Sequence, residues 1–209
     1  MPSLMSHFFA FMSRLKLIQR WSLMRSHLPE NVAEHSLQVA QVAHCIALRK
    51  QMTDQPEINP ERVAVLALYH DASEVLTGDL PTPIKYANSE ITQAYRQVED
   101  TANEQLVGML PESMQGAYRG LLIIGKEDAA HARIVKMADT VCALLKAQEE
   151  LAGGNHEFRQ ARATLQSRVE AYQDDAVNWF IERFGPSFSL CLDDMRVNEP
   201  SKPARKRRR

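Results

Sequence analysis

Apolar residues recur every three or four positions along most of this chain, a spacing that is typical of amphipathic helices. Strand-like alternation of apolar and polar residues is nearly absent. The pattern predicts helices over about residues 4–18, 31–51, 59–78, 89–109, 127–152, 156–172 and 175–184, with a shorter helical segment after Pro111. We therefore predict an all-α fold, a single domain of about seven helices with short connections.

Two of the predicted helices begin at clear start signals. Asn31 is followed three residues later by Glu34, which is the spacing of a capping box. Asn59 is followed by Pro60, a residue that is favoured at the first position of a helix. These signals place the helix starts more firmly than the apolar spacing alone.

The composition is that of a soluble globular protein, with 44% hydrophobic and 24% charged residues. The three cysteines, Cys45, Cys142 and Cys191, are scattered and form no CxxC pair, which favours a reducing compartment over a disulfide framework. The apolar run at residues 8–12 is too short to cross a membrane, and its basic residues follow it. We therefore expect a cytoplasmic protein that has no signal peptide and no membrane partner.

Positive charge is concentrated in the last eight residues, Lys202 to Arg209, six of which are basic. The residues before them include 19 basic and 26 acidic ones, so the body of the protein is acidic and unsuited to binding a polyanion. We assign residues 1–196 to one folded domain and residues 197–209 to a disordered basic tail. The tail leaves room for weak contact with polyanions, but we expect no specific nucleic acid as a partner.

A cluster of ionisable residues lies where the third predicted helix runs into a turn rich in Gly and Pro. His70, Asp71 and Glu74 are three or four positions apart, so on a continuous helix they would share one face. Asp79 follows directly after Gly78, the predicted helix end. Since charged groups at the end of an apolar stripe are costly to bury unpaired, the cluster is either a solvated helix end or a site for a metal ion.

Two more residues look misplaced for packing alone. His35 lies in the first turn of its predicted helix, and Asp139 falls inside an apolar stripe. Each has a structural explanation on its own, since His35 fits a capping or surface histidine and Asp139 can pair with Lys136. Together with His70 and Asp71 they supply two imidazoles and two carboxylates, a donor set that suits one divalent ion.

The order of these residues, H…HD…D, resembles the pattern of the HD-domain metal-dependent phosphohydrolases. Three segments, Glu34–Ser36, His70–Pro83 and Lys136–Asp139, together with the pair Arg20-Trp21, are similar to the bacterial HD-domain 5′-deoxynucleotidases. The resemblance covers about residues 6–195 and implies an HD-type helical bundle. It implies an enzyme that hydrolyses deoxyribonucleoside 5′-monophosphates, and we expect little base selectivity because no set of polar base-reading residues stands out.

The same resemblance implies roles for individual residues. The metal ion would be held by His35, His70, Asp71 and Asp139. Glu74 would orient the attacking water or protonate the leaving 5′-oxygen, and Arg20 would offer its planar guanidinium to the phosphate. Asp79 is suited to bonding the sugar 3′-hydroxyl, and Trp21 would form a wall beside the sugar or base. The expected substrate contacts are Arg20, Trp21, His35, Asp71, Asp79, Leu80, Pro81, Thr82 and Asp139.

The resemblance also leads us to expect one Co²⁺ or Mn²⁺ ion and a homodimer. Two alternatives stay open: an HD-domain hydrolase of another phosphate ester, such as a cyclic nucleotide or a nucleoside polyphosphate, and a helical nucleic-acid-binding protein that works through its basic tail. The strength of any preference for deoxyribose is open too. An apolar wall discriminates against an added hydroxyl by only about 10²-fold.

Overall fold

The computed structural model describes residues 5–85 and 87–195, except for the side chain of Thr82. Within these ranges the chain forms α-helices and short 3₁₀ segments and no strand, apart from an isolated antiparallel bridge between Gln19 and Asn31. The prediction of an all-α fold is confirmed. The helices are α1 Phe8–Met12, α2 Val32–Thr53, α3 Pro60–Leu68, α4 Glu74–Thr77, α5 Thr82–Lys85, α6 Ser89–Gly108, α7 Glu112–Leu122, α8 Ala129–Ala152, α9 Arg159–Ala171 and α10 Asp175–Phe184.

Side-chain caps fix the starts of several helices, as the sequence predicts for two of them. The Asn31 side chain accepts a hydrogen bond from the backbone N–H of Glu34 at 3.0 Å, and the Asn59 side chain accepts one from Arg62 at 2.8 Å. For α6 the cap is Asn88, one residue before the predicted start at Ser89. Each cap satisfies a backbone donor that the helix itself cannot pair.

The main hydrophobic core lies where α2, α3 and α8 pack on one another, with α9 and α10 against its far side. Helix α8 runs through the centre, and most of its residues from Ile134 to Ala147 are buried. Its buried face is broad because it meets neighbours on several sides. A smaller cluster joins the first helix to α6 and α7 around fully buried Phe8 and Leu106.

The prediction of one continuous helix over residues 59–78 is wrong. Helix α3 ends at Leu68, and Tyr69 leaves the helical conformation with φ −111° and ψ 4°. Residues 69–73 form tight turns in which backbone N–H groups bond to carbonyls three residues earlier, before the one-turn helix α4 begins at Glu74. His70, Asp71 and Glu74 therefore do not share the face of one helix. Backbone turns bring them together, which apolar spacing cannot reveal.

Other boundaries differ less from the prediction. The first predicted helix starts at Phe8 and tightens into a 3₁₀ segment over Ser13–Leu17. The turn after Gly78, where φ is +73°, continues into the short helix α5. No helix in the described part of the chain has both the length and the apolar content needed to cross a membrane. The predicted basic tail, 197–209, lies outside the described residues.

Candidate functional site

Three separate parts of the chain meet at one cluster of imidazoles and carboxylates. The first turn of α2 supplies His35, the turn after α3 supplies His70 and Asp71, and the middle of α8 supplies Asp139. Asp71 Oδ2 lies 3.1 Å from His70 Nε2 and 4.0 Å from His35 Nε2. Asp139 Oδ1 lies 3.1 Å from His35 Nε2. The four residues that the sequence nominates as metal ligands are thus brought together.

These distances are those expected for ligands of one metal ion. With metal–ligand bonds of about 2.1 Å, two ligands of the same ion are about 3 Å apart when adjacent and about 4.2 Å apart when opposite. One ligand atom each from His35, His70 and Asp71 lie within 4.8 Å of one another. Asp139 joins this group through its contact with His35, and its second oxygen accepts a hydrogen bond from Lys136 at 2.8 Å. Both expectations for Asp139, the cluster and the pair with Lys136, hold at once.

The hydrogen bonds of His70 leave one ring nitrogen facing the cluster. Its Nδ1 donates to the backbone carbonyl of Ala67 at 2.7 Å. In the neutral imidazole that bond fixes the tautomer, so Nε2 carries the lone pair, and Nε2 is buried without a hydrogen bond among the described residues. A lone pair 3.1 Å from the Asp71 carboxylate oxygen is unfavourable unless a proton or a metal ion lies between the two atoms. The residues therefore fit a metal ion.

The pKa shifts in the cluster reflect this concentration of opposite charges. Burial disfavours the charged forms of His70, Asp71 and Asp139, but their contacts with opposite charges prevail. The His70 imidazole holds the pKa of the Asp71 carboxyl well below its usual range, and Lys136 together with His35 does the same for Asp139. The Asp71 carboxylate in turn raises the pKa of His70 against the effect of burial. Both carboxylates are therefore ionised at neutral pH, as metal ligands must be.

Arg20 lies beside the cluster, and Trp21 follows it on the loop between the first 3₁₀ segment and α2. Arg20 Nη1 is 3.7 Å from Asp71 Oδ2. Trp21 adopts φ +56°, which is rare for a bulky side chain and costs about 1–3 kcal/mol. Its indole packs against Phe158, with ring centroids 5.2 Å apart. The ring contact with Phe158 and the bond from Nε1 to Glu30 hold Trp21 in this strained conformation.

Sequence reasoning missed Glu30, which bonds to both of these residues. Its Oε2 accepts hydrogen bonds from Arg20 Nε at 3.0 Å and from Trp21 Nε1 at 2.9 Å. The residue stands alone between Pro29 and Asn31 in a loop without apolar periodicity, so no spacing rule marks it.

Glu74 lies behind the cluster, one residue past the turn. Its side chain is buried, and Oε2 has no hydrogen-bond partner among the described residues. Burial, with the Asp71 and Asp79 carboxylates adding to it, raises the pKa of Glu74 to about 9. Burial also raises the pKa of Asp79, though Arg20 opposes the shift. A buried carboxyl with a raised pKa can hold a proton at neutral pH and release it to a neighbour.

The remaining nominated residues lie in the segment after Gly78. Asp79, Leu80 and Pro81 are each half-buried. Their side chains make no hydrogen bond to the cluster within the described structure, and Asp79 is linked to it through the charges of Arg20 and Asp71. The side chain of Thr82 is outside the described residues, so the prediction for it is not tested here.

Comparison with known proteins adds family relationships to this geometry. A family model described as 5′-deoxynucleotidase YfbR-like matches residues 7–188. A 5′-deoxynucleotidase of Erwinia tasmaniensis is 52% identical over 190 residues, which is 91% of this chain and 96% of that protein. The 5′-deoxynucleotidase YfbR of Escherichia coli O1:K1 is 50% identical over 195 residues, covering 93% of this chain and 98% of its own.

Solved structures of HD-domain phosphohydrolases share the fold. A crystal structure of such an enzyme from Listeria innocua has a TM-score of 0.76 and 27% identity, covering 87% of this chain and 88% of its own. The HD phosphohydrolase of cyanophage S-2L, solved with dA and one catalytic Zn²⁺ ion, has a TM-score of 0.60 and 21% identity, with coverage of 85% and 96%. At that lower identity the likeness concerns the fold alone.

Proposed function

The chain belongs to the YfbR-like family of 5′-deoxynucleotidases, and on that premise we propose that it hydrolyses deoxyribonucleoside 5′-monophosphates to deoxyribonucleosides and inorganic phosphate. The observation that carries the proposal is the set of converging ligand atoms on His35, His70, Asp71 and Asp139, with Arg20 beside it. A phosphomonoester has a negative charge that such a site can bind, and its uncatalysed hydrolysis is among the slowest reactions known.

The four clustered residues would hold one divalent cation. Such an ion, when bound, polarises the phosphoryl group and lowers the pKa of water toward about 7. Two imidazoles and two carboxylates suit Mn²⁺ or Co²⁺ as well as Zn²⁺, and we propose Co²⁺ or Mn²⁺. Four protein ligands would leave room on such an ion for a water molecule and a phosphate oxygen.

Arg20 binds and orients the phosphate in this proposal. Glu30 takes its Nε–H, and Nη1 lies 3.7 Å from the Asp71 carboxylate. Nη1 therefore lies at the side of the cluster where it could meet a phosphate. Planar N–H groups aimed at phosphate oxygens stabilise the charge that develops in the transition state.

Glu74 handles the proton of the leaving group. Water attacks phosphorus, the bond from phosphorus to the 5′-oxygen breaks, and the electron pair stays on that oxygen. Glu74 gives its proton to the oxygen, and the attacking water supplies a proton that restores the acid. The raised pKa of Glu74, about 9, supports a role as proton donor.

Trp21 and Asp79 select the sugar. The indole N–H of Trp21 is already bonded to Glu30, so the ring offers the substrate an apolar surface and no donor. Such a surface disfavours a 2′-hydroxyl by shape alone, an effect limited to about 10²-fold. Asp79 accepts a hydrogen bond from the 3′-hydroxyl, while Leu80, Pro81 and Thr82 shape the rest of the sugar pocket.

We also propose that the protein acts as a homodimer in the cytoplasm. Two-fold homo-oligomers are the commonest assemblies of soluble enzymes. All three cysteines are free, and Cys142 is buried on α8; free thiols are the usual state in a reducing compartment. Size-exclusion chromatography with light scattering measures the assembly directly.

The test is phosphate release from dAMP and from AMP with Co²⁺, Mn²⁺, Mg²⁺ or a chelator. We expect release that requires the metal and favours dAMP over AMP. Equal release from both nucleotides would leave a nucleotidase without sugar selectivity. If cyclic AMP or dATP is hydrolysed and dAMP is not, the chain is an HD-domain hydrolase of another phosphate ester and the proposal is wrong.

A further inference from the structure

Glu30 lies in the loop before α2 and reaches three groups of the proposed active site at once. We infer that it is a positioning residue that fixes Arg20 and Trp21 through one carboxylate oxygen and His35 through the other. The inference rests on the proposed function and deepens it, because it couples metal binding to sugar selection through one side chain. Only 11% of the Glu30 side chain is exposed, so these contacts are shielded from water.

The first oxygen of Glu30 sets the orientation of the substrate-binding pair. Oε2 accepts from Arg20 Nε at 3.0 Å and from Trp21 Nε1 at 2.9 Å. The bond at Nε restricts the rotation of the guanidinium plane, so Nη1 stays directed at the cluster. The same oxygen holds the indole plane, because Nε1 is the single donor of that ring.

The second oxygen of Glu30 faces the buried metal-ligand candidate on α2. His35 Nδ1 is 3.8 Å from Glu30 Oε1 and has no hydrogen bond among the described residues. His35 Nε2 points the other way, toward Asp139 and Asp71. If Nε2 binds a metal ion, the ring proton must be on Nδ1. The Glu30 carboxylate can then accept a hydrogen bond from Nδ1–H once the two side chains move closer by about 1 Å. A carboxylate in that place orients a ligating histidine and increases its basicity.

Only a carboxylate can serve all three donors. Glutamate has two acceptor oxygens, whereas glutamine has one acceptor oxygen and one NH₂ donor. A glutamine here would direct its NH₂ group either at the two N–H groups of Arg20 and Trp21 or at His35 Nδ1–H. One set of contacts is lost in either orientation, although the size and shape of the side chain are unchanged.

The experiment compares wild type with Glu30→Gln and with Glu57→Gln, a matched change at an exposed position. The measurements are the Kd for Mn²⁺ by calorimetry, the kcat/KM ratio of dAMP to AMP, and the NMR signal of the Trp21 indole N–H. If the glutamine NH₂ group of Glu30→Gln faces His35, we expect the Kd for Mn²⁺ to rise about 10- to 100-fold. If it faces Arg20 and Trp21, we expect a smaller kcat/KM ratio of dAMP to AMP and an indole N–H signal shifted from its wild-type position. The Glu57→Gln protein should match wild type in all three.

A purely structural role predicts something different. The inference is wrong if Glu30→Gln lowers the melting temperature and reduces the activities on dAMP and on AMP by one common factor, while the Kd for Mn²⁺ is unchanged. It is also wrong if all three measurements stay at their wild-type values. Glu30→Asp is a second variant that keeps the charge and both acceptors one methylene further away, and its effects should be intermediate. If wild type fails to hydrolyse dAMP, the proposed function fails, while the Kd for Mn²⁺ still tests the contact between Glu30 and His35.

Discussion

Two buried groups of charged residues lie along α8 and differ in how completely they are hydrogen-bonded. Near the end of the helix, the carboxylate of Glu150 accepts bonds from Lys146 Nζ at 2.6 Å, Asn155 Nδ2 at 2.7 Å and the backbone N–H groups of His27 and Leu28 at 2.9 and 3.1 Å. In the middle of the helix, Asp139 belongs to the cluster in which His35 Nδ1 and His70 Nε2 are buried without a hydrogen-bond partner in the described structure.

The two groups show how hydrogen bonding distinguishes charged residues that stabilise the fold from charged residues of a functional site. Four donors surround Glu150, and its pKa falls to about 2 even though burial opposes the shift. That network ties the loop before α2, which carries Arg20 and Trp21, to the rigid core. The cluster around Asp139 instead has two ring nitrogens without a hydrogen bond, and neighbouring Glu74 has an unpaired oxygen, at a cost in stability. Unpaired buried groups of this kind indicate a ligand-binding site.

Asp71→Asn should have the largest effect, because it removes a ligand and a charge from the cluster. We expect the bound Mn²⁺ or Co²⁺ to be lost and phosphate release from dAMP to fall to the level seen with a chelator. Metal analysis after gel filtration and the phosphate assay measure the two effects. Circular dichroism should show an unchanged helix content. A variant that keeps full activity and a full complement of metal would remove Asp71 from the ligand set.

Glu74→Gln should come next, with kcat for dAMP lowered about 10²- to 10⁴-fold while Mn²⁺ still binds. The same change should stabilise the metal-free protein by about 1–3 kcal/mol at pH 8, because glutamine resembles the protonated carboxyl. A folded-state pKa of about 9 lies above the unfolded value, so the stability that protonated Glu74 contributes is full below about pH 4.3 and is lost as pH rises toward 9.

Urea unfolding at pH 5 and at pH 8, with chelator present, tests that sign. The advantage of Glu74→Gln over wild type should grow between the two pH values. A stability advantage that shrinks would mean that Glu74 is ionised in the folded protein. A kcat that hardly changes would mean that Glu74 is not the proton donor.

Glu150→Ala should lower the free energy of unfolding by about 3–5 kcal/mol, because it leaves the Lys146 ammonium buried without its carboxylate. Metal binding should be retained in the molecules that stay folded. Glu149→Ala is the matched control one residue away on the same helix, and it should change stability by less than about 1 kcal/mol. Equal losses for both variants would contradict the role assigned to the Glu150 network.

Acid denaturation refines the same comparison. The pKa of Glu150 is lowered to about 2 in the folded protein, against about 4.3 when unfolded. Its contribution is therefore present above about pH 4.3 and is lost as the pH falls toward 2. The difference in unfolding free energy between wild type and Glu150→Ala should shrink across that range. A difference that stays constant would show that packing, and not charge, accounts for the effect.

Sequence patterns predicted the helices well where local signals are strong. The caps at Asn31 and Asn59 sit where the capping signals place them, and α10 spans the predicted residues 175–184. The break between α3 and α4 escaped prediction because apolar spacing continues across it through Val75, while the turn is set by backbone bonds. Local sequence patterns reveal periodicity, but they do not show where tertiary contacts favour tighter turns.

The candidate site was predictable to the extent that its residues are chemically conspicuous. Asp139 stands out because an ionisable residue inside an apolar stripe needs a reason, and His35 stands out through its place in the H…HD…D pattern. Glu30 does not, since a glutamate in a loop is ordinary until the fold places Arg20, Trp21 and His35 around it. Residues that act by holding others are defined by three-dimensional contacts alone, and a single sequence contains no signal for them.

The most direct test of the central claim is anomalous diffraction from crystals of the protein soaked with Mn²⁺ or Co²⁺. We expect one peak at about 2.0–2.2 Å from His35 Nε2, His70 Nε2 and the carboxylates of Asp71 and Asp139, with His35 Nδ1 turned toward Glu30. A peak held by other residues, or full occupancy of the metal in an Asp71→Asn crystal, would contradict it.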